Sequence, residues 1–110
     1  YLSESTGVGS DGGDVSLPVV TALYQNVPNP FNPSTEIRFS IAGGGPARLA
    51  IYDLRGRRVR TLLDRRISSG RYSLWWDGTD DRGSASPSGV YLYRLELQEK
   101  ILTRKMLLTR

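Results

Sequence analysis

Asp77-Gly78-Thr79-Asp80-Asp81-Arg82-Gly83 is the densest group of carboxylates in a chain of 110 residues. An acidic loop punctuated by glycine can offer calcium several oxygen ligands. The spacing is not that of an EF-hand, because Thr stands at 79 and Arg82 precedes the glycine. The competing reading of Asp77, Asp80 and Asp81 is a polar turn whose side chains accept backbone N–H groups, and it outweighs the calcium reading. Paired carboxylates can also serve as general acid and base, but they then need a pocket and a fixed separation. Neighbours on one loop of so small a domain offer neither. The chain has no His and no Cys. That removes imidazole and thiolate metal ligands, Cys nucleophiles and the Ser-His-Asp triad. A non-enzymatic protein without a cofactor is the expectation.

Two other constellations could bind. Trp75 and Trp76 are adjacent, and neighbours on a strand point to opposite faces. Trp76 falls in register with Tyr72 and Leu74 and belongs to the core. Trp75 then faces outward, where it could stack on a sugar ring. The preferred reading is that a Pro-rich segment or a loop covers it. Arg55, Arg57, Arg58, Arg60, Arg65 and Arg66 lie within twelve residues, and simple alternation puts Arg58 and Arg60 on one strand face. A basic stripe can bind nucleic acid. No nucleic-acid motif or interleaved aromatic accompanies this one, so a solvated, charge-protected sheet edge is expected instead. Attraction to an anionic surface is the milder alternative.

The elements that carry these residues read as strands. Period-2 alternation runs through Ile37, Phe39 and Ile41, through Ala47, Leu49 and Ile51, and through Tyr72, Leu74 and Trp76. It continues in Tyr91, Tyr93, Leu95 and Leu97, and a last strand over 101–109 carries Leu102, Met106 and Leu108. Val59 to Leu63 forms another. Turns are expected at 43–46, 53–57, 67–70 and 98–100, with a polar loop over 77–88. With one strand near 19–25, this gives an all-β, seven-stranded antiparallel Ig-like sandwich. Between Tyr24 and Thr35, three prolines in six residues forbid helix and central strand. That segment should form a rigid arm pinned by Phe31.

Charge divides the chain. Residues 1–37 carry Glu4, Asp11, Asp14 and Glu36 and no Lys or Arg, whereas all 15 basic groups follow. Residues 1–20, rich in Gly, Ser and Asp, are expected to be a flexible linker, and 21–110 the folded domain. No stretch approaches the about 20 apolar residues of a membrane helix. The start at Tyr1-Leu2-Ser3 reads as a piece of a longer protein.

In order, four segments resemble a known family. They are 24–39 (Tyr-Gln-Asn-Val-Pro-Asn-Pro-Phe-Asn-Pro-Ser-Thr-Glu-Ile-Arg-Phe), 49–59 (Leu-Ala-Ile-Tyr-Asp-Leu-Arg-Gly-Arg-Arg-Val), 76–80 with 88–93, and 103–108. Together they look like the C-terminal sorting domain of type IX secretion cargo, and equally like the related Ig-like domain of flagellar hook-capping proteins. The first resemblance implies a non-catalytic sorting signal at the end of a larger secreted passenger. It would be read in the periplasm by the outer-membrane type IX translocon and removed by a sortase-like peptidase. The passenger would be left at the cell surface, on anionic lipopolysaccharide, or secreted. The signal residues would map to Pro28, Asn29, Pro30, Gly89, Tyr91 and Lys105. Each has a simpler alternative: turn-shaping prolines, a glycine conformation, a core tyrosine and a soluble edge lysine. A carbohydrate-binding or surface-adhesion module using Trp75 is one alternative function, and a hook-cap assembly domain is a second.

Overall fold

The computed structural model describes residues 18–110 and the backbone of a short strand at Leu2–Glu4. The remainder of the expected linker lies outside the described residues. Seven strands fall within 18–110: β2 (Ala22–Leu23), β3 (Thr35–Ile41), β4 (Gly45–Asp53), β5 (Arg58–Ile67), β6 (Gly70–Trp76), β7 (Gly89–Leu97) and β8 (Ile101–Leu108). Leu2–Glu4, β1, adds to the edge of β6. The strands form two antiparallel sheets, ordered β1-β6-β3-β2 and β5-β4-β7-β8. This is the Ig-like sandwich that the alternation implies.

Between the sheets lie the residues that alternation assigns inward. Ile37, Phe39, Leu49, Ile51, Leu74, Trp76, Tyr91, Tyr93 and Met106 are all buried. Removing such side chains from water is the main favourable term for a domain of this size. The aromatic rings are arranged around Trp76. Phe31 meets it at 5.6 Å between centroids and Tyr91 at 5.3 Å, the latter edge-on. Phe39 stacks on Tyr72 at 5.4 Å. Phe31, buried as expected, pins the arm by inserting next to the largest core side chain.

β5 departs from simple alternation. Two register shifts against β4 place Thr61 opposite Ala50, Arg60 opposite Ile51 and Arg58 opposite Tyr52. The bulge at Val59 therefore separates Arg58 from Arg60, and the shared face expected for them does not exist. A bulge on an edge strand turns side chains and interrupts the ladder. Here it turns Arg60 toward the 77–88 loop, where its guanidinium donates to Thr79 Oγ1 at 2.7 Å and to the Asp80 carbonyl at 3.0 Å. The strand also runs four residues past Leu63, because Asp64, Arg65 and Arg66 pair with Arg48, Ala47 and Pro46.

The 77–88 loop and the Pro-rich arm occupy opposite edges of the second sheet. The loop lies on β5: Asp81 N donates to the Val59 carbonyl, and Thr61 N donates to Asp81 Oδ1. Arg110 holds the loop from the other end by donating to the carbonyls of Ser86 and Gly78, each at 2.6 Å. Gly78 has φ +78°, and a Cβ there would lie 2.7 Å from the Arg110 guanidinium and 3.0 Å from the Pro33 carbonyl. Only glycine satisfies both the backbone angle and that close approach.

Candidate functional site

The arm and the last strand form one structure. In the arm, the Val27-Pro28, Asn29-Pro30 and Asn32-Pro33 peptides are cis. Asn26 Nδ2 donates to the Pro28 carbonyl and to Thr35 Oγ1, and Thr35 Oγ1 donates to the same carbonyl at 2.9 Å. These internal bonds satisfy a buried amide and fix the first turn. The arm then pairs with the outer edge of β8. Phe31 N donates to the Leu107 carbonyl at 3.0 Å, Thr109 N donates to the Phe31 carbonyl at 2.9 Å, and Leu107 N donates to Asn29 Oδ1 at 3.0 Å. Gln25 Nε2 donates to the Lys105 carbonyl, and Arg104 Nε donates to the Leu23 carbonyl.

Tyr93 anchors the same region from inside. Its hydroxyl accepts from Asn26 N at 2.9 Å and donates to the Tyr24 carbonyl at 2.7 Å. Burial pushes this phenol up to about 12, because an ionised oxygen would be stranded away from water.

The structure thus brings Pro28, Asn29 and Pro30 onto the strand that carries Lys105, and all four are exposed. The other two sequence candidates lie apart. Tyr91 is buried against Trp76, and its hydroxyl donates to the Pro87 carbonyl at 2.6 Å. Gly89 has φ +155°, paired with Leu108 at the start of β7. Both positions do the work of folding next to the seam. Gln25, Tyr93 and Arg104 were not singled out by sequence. Their contribution is a hydrogen bond to a distant main chain, which leaves no trace in side-chain alternation.

Two of the acidic loop's carboxylates, Asp77 and Asp80, are used on the loop's own groups, and Asp81 is used on β5. Asp80 Oδ1 accepts from the N–H groups of Arg82 and Ser84, both at 2.9 Å. Asp77 Oδ1 accepts from Thr79 N and from the Thr79 hydroxyl. The Thr79 hydroxyl holds Asp77, and the Ser84 N–H holds Asp80, below the usual carboxylate range. Asp81 faces Arg58 at 3.7 Å. The three carboxylates are drawn to three different sets of partners, and among the described residues no group of three or more acids could hold a metal ion.

Trp75 is 54% exposed. The expectation that the arm or a loop covers it is overturned, since the arm leaves the first sheet and runs along β8 instead. On the first sheet Trp75 stands beside Glu36, which in turn pairs with Val27. The next row holds Tyr24, Arg38 and Ser73, and the one after it Ala22, Ser40 and Arg71.

The match with a family model decides the relationship. The model of the FlgD Ig-like domain covers residues 32–100, more than half of the chain. The chain belongs to the FlgD Ig-like domain family. Among the solved structures that share its fold are the following three. Dimeric latent PorU from Porphyromonas gingivalis is 24% identical, with a TM-score of 0.64, over 86% of this chain and 10% of PorU. PorZ of the same organism, an essential bacterial surface component of its type IX secretion system, is 21% identical. Its TM-score is 0.57 over 80% of this chain and 11% of PorZ. FlgD from P. aeruginosa is 18% identical, with a TM-score of 0.52, over 74% of this chain and 70% of that one. The chain thus spans about a tenth of the PorU and PorZ chains. No curated protein matches it.

Proposed function

We propose that this FlgD-type Ig-like domain is a non-catalytic sorting module. It directs a larger protein to the type IX outer-membrane translocon, and on to the cell surface or the medium. The observation that carries this reading is the seam between the arm and β8. It presents Pro28, Asn29, Pro30 and Lys105 on one exposed edge, held by hydrogen bonds from both sides. A receptor that must recognise many passengers needs a surface whose shape does not depend on the passenger, and a pre-folded seam supplies one. The likeness to PorU and PorZ supports type IX secretion as the setting. In this reading a sortase-like peptidase cuts in the 1–20 segment, upstream of β2. Attachment to anionic lipopolysaccharide then keeps the passenger at the surface.

The test is a fusion of all 110 residues to a passenger enzyme in a type IX-competent cell. Passenger activity should appear outside the cell, and retention in the periplasm would overturn the reading. Asn29→Ala with Lys105→Ala should reduce export while the purified domain keeps its melting temperature within a few degrees. Family membership favours a second reading, a hook-cap assembly domain. That reading gains if the fusion stays in the periplasm and instead restores hook assembly to a strain lacking the corresponding domain.

A further inference from the structure

The outer face of the first sheet has the composition of a binding surface. Trp75, Val27 and Tyr24 are 54%, 50% and 44% exposed on it. Single exposed apolar residues are ordinary, but here two aromatic rings share one face of one sheet. Arg38 and Arg71 are exposed on the same face, and neither guanidinium has an ion pair or hydrogen bond among the described residues. Together with Tyr24 they line a shallow depression over the backbone of β3 and β6.

Strand spacing sets the scale. Trp75 lies two strands across and two residues along from Tyr24. With strands about 4.8 Å apart and a rise of about 3.3 Å per residue, their Cα atoms are separated by about 12 Å. A ligand touching both rings is therefore a chain and not a single small ring. Between the rings lie Glu36 and Arg38. Flat apolar rings alternate with groups that accept and donate hydrogen bonds. Sugars match that alternation, since a pyranose has an apolar C–H face and a rim of hydroxyls.

Charge narrows the class. Two guanidinium groups without a partner among the described residues flank the depression, and a guanidinium pairs with a carboxylate through two parallel hydrogen bonds. Glu36, between the rings, accepts bonds from sugar hydroxyls. We infer that the outer face of the first sheet binds an acidic, carboxylate-bearing polysaccharide. Trp75 and Tyr24 act as stacking platforms, and Arg38 and Arg71 as carboxylate ligands. This inference does not rest on the sorting reading, because a domain that fails to direct export can still bind the glycan.

The experiment uses the whole 110-residue chain with polygalacturonate as the probe and dextran as the neutral reference, at physiological ionic strength. Affinity electrophoresis should show retardation by polygalacturonate and none by dextran. Trp75→Ala and the double change Arg38→Ala/Arg71→Ala should each weaken binding about tenfold or more. Arg65→Ala/Arg66→Ala, on the opposite sheet, should leave it unchanged. Should Trp75→Ala fail to fold, Trp75→Gln replaces it. Polygalacturonate should also alter the fluorescence of the wild-type chain, since Trp76 is buried and Trp75 alone of the two meets the ligand. The inference fails if the wild type ignores polygalacturonate, or if the Trp75 variants bind as well as wild type. It also fails if the Arg65/Arg66 variant is the one that loses binding, or if an oligonucleotide is held as tightly through Arg38 and Arg71.

Discussion

On the outer face of the β5-β4-β7-β8 sheet the central charges are engaged with one another. Arg94 lies 4.3 Å above the Tyr52 ring and 3.5 Å from Glu96, and the Tyr52 hydroxyl reaches both Glu96 and Arg48. Neighbouring Tyr52, Glu96 and Asp64 raise the pKa of Arg48 further. On the outer face of the β1-β6-β3-β2 sheet Arg38 and Arg71 have no such partners among the described residues, and Trp75 is more than half exposed. One face pairs its charges with one another, and the other, among the described residues, does not. Both are solvent-facing sides of one sandwich, built from the same alternation. The difference lies in what each residue has across the strand from it. In the second sheet the register sets Arg48 opposite both Asp64 and Glu96. In the first sheet it sets Arg38 opposite Ser73, and Trp75 opposite Glu36.

The two adjacent tryptophans give the sharpest form of this contrast. Trp76→Ala should cost about 3–5 kcal/mol, because it empties the site between Phe31 and Tyr91. Trp75→Ala should stay within about 0.5 kcal/mol, as exposed positions do. Urea unfolding measures both, and comparable losses would mean that the outer face is packed after all. Tyr93→Phe comes next, at about 1–3 kcal/mol, since it leaves Asn26 N and the Tyr24 carbonyl without their partner.

The same tyrosine makes stability depend on alkaline pH. Its folded pKa is raised to about 12 from the ordinary tyrosine value of 10.0, so between those values the folded state holds a proton that the unfolded state has lost. Stability is then full below about pH 10 and falls as pH rises toward 12. Over that range the gap between wild type and Tyr93→Phe should narrow in urea titrations. A gap that stays constant would place the hydroxyl in water. The smallest contrast is between arginines. Arg94→Ala should cost about 0.5–1 kcal/mol through the lost contact with Tyr52. Arg38→Ala should cost less than about 0.5 kcal/mol. Thermal melts at low and high salt separate the two, and an equal loss would erase the distinction between the faces.

How far these features could be read from sequence follows from which atoms make them. Ile37-Phe39-Ile41 and Tyr72-Leu74-Trp76 expose their alternation directly, because side chains bury themselves or fail to. The opposite exposures of Trp75 and Trp76 come from the same rule. The bulge at Val59 does not, because it is fixed by the loop that lies on β5: Asp81 takes the Val59 carbonyl and the Thr61 N–H. The route of the arm was equally hidden. Its proline spacing announces rigidity, but its direction is set by backbone bonds between Phe31 and Leu107, far apart in the chain. For that reason a cover over Trp75 was a fair expectation from sequence and a wrong one in space. Arg38 and Arg71 needed the β3–β6 register before they could be seen as neighbours.

The seam between the arm and β8 also sets an order of events. The arm is made early, but its Phe31 end has no strand partner until β8 arrives. It waits through the whole of the second sheet for Leu107, Leu108 and Thr109. Contacts of such long sequence separation carry a loop-closure cost that must be met before they stabilise the fold. A chain interrupted anywhere before β8 leaves Phe31 without its strand and Asn29 without the Leu107 N–H. The finished edge is therefore a certificate that the chain has been read through β8, legible to anything that touches the surface.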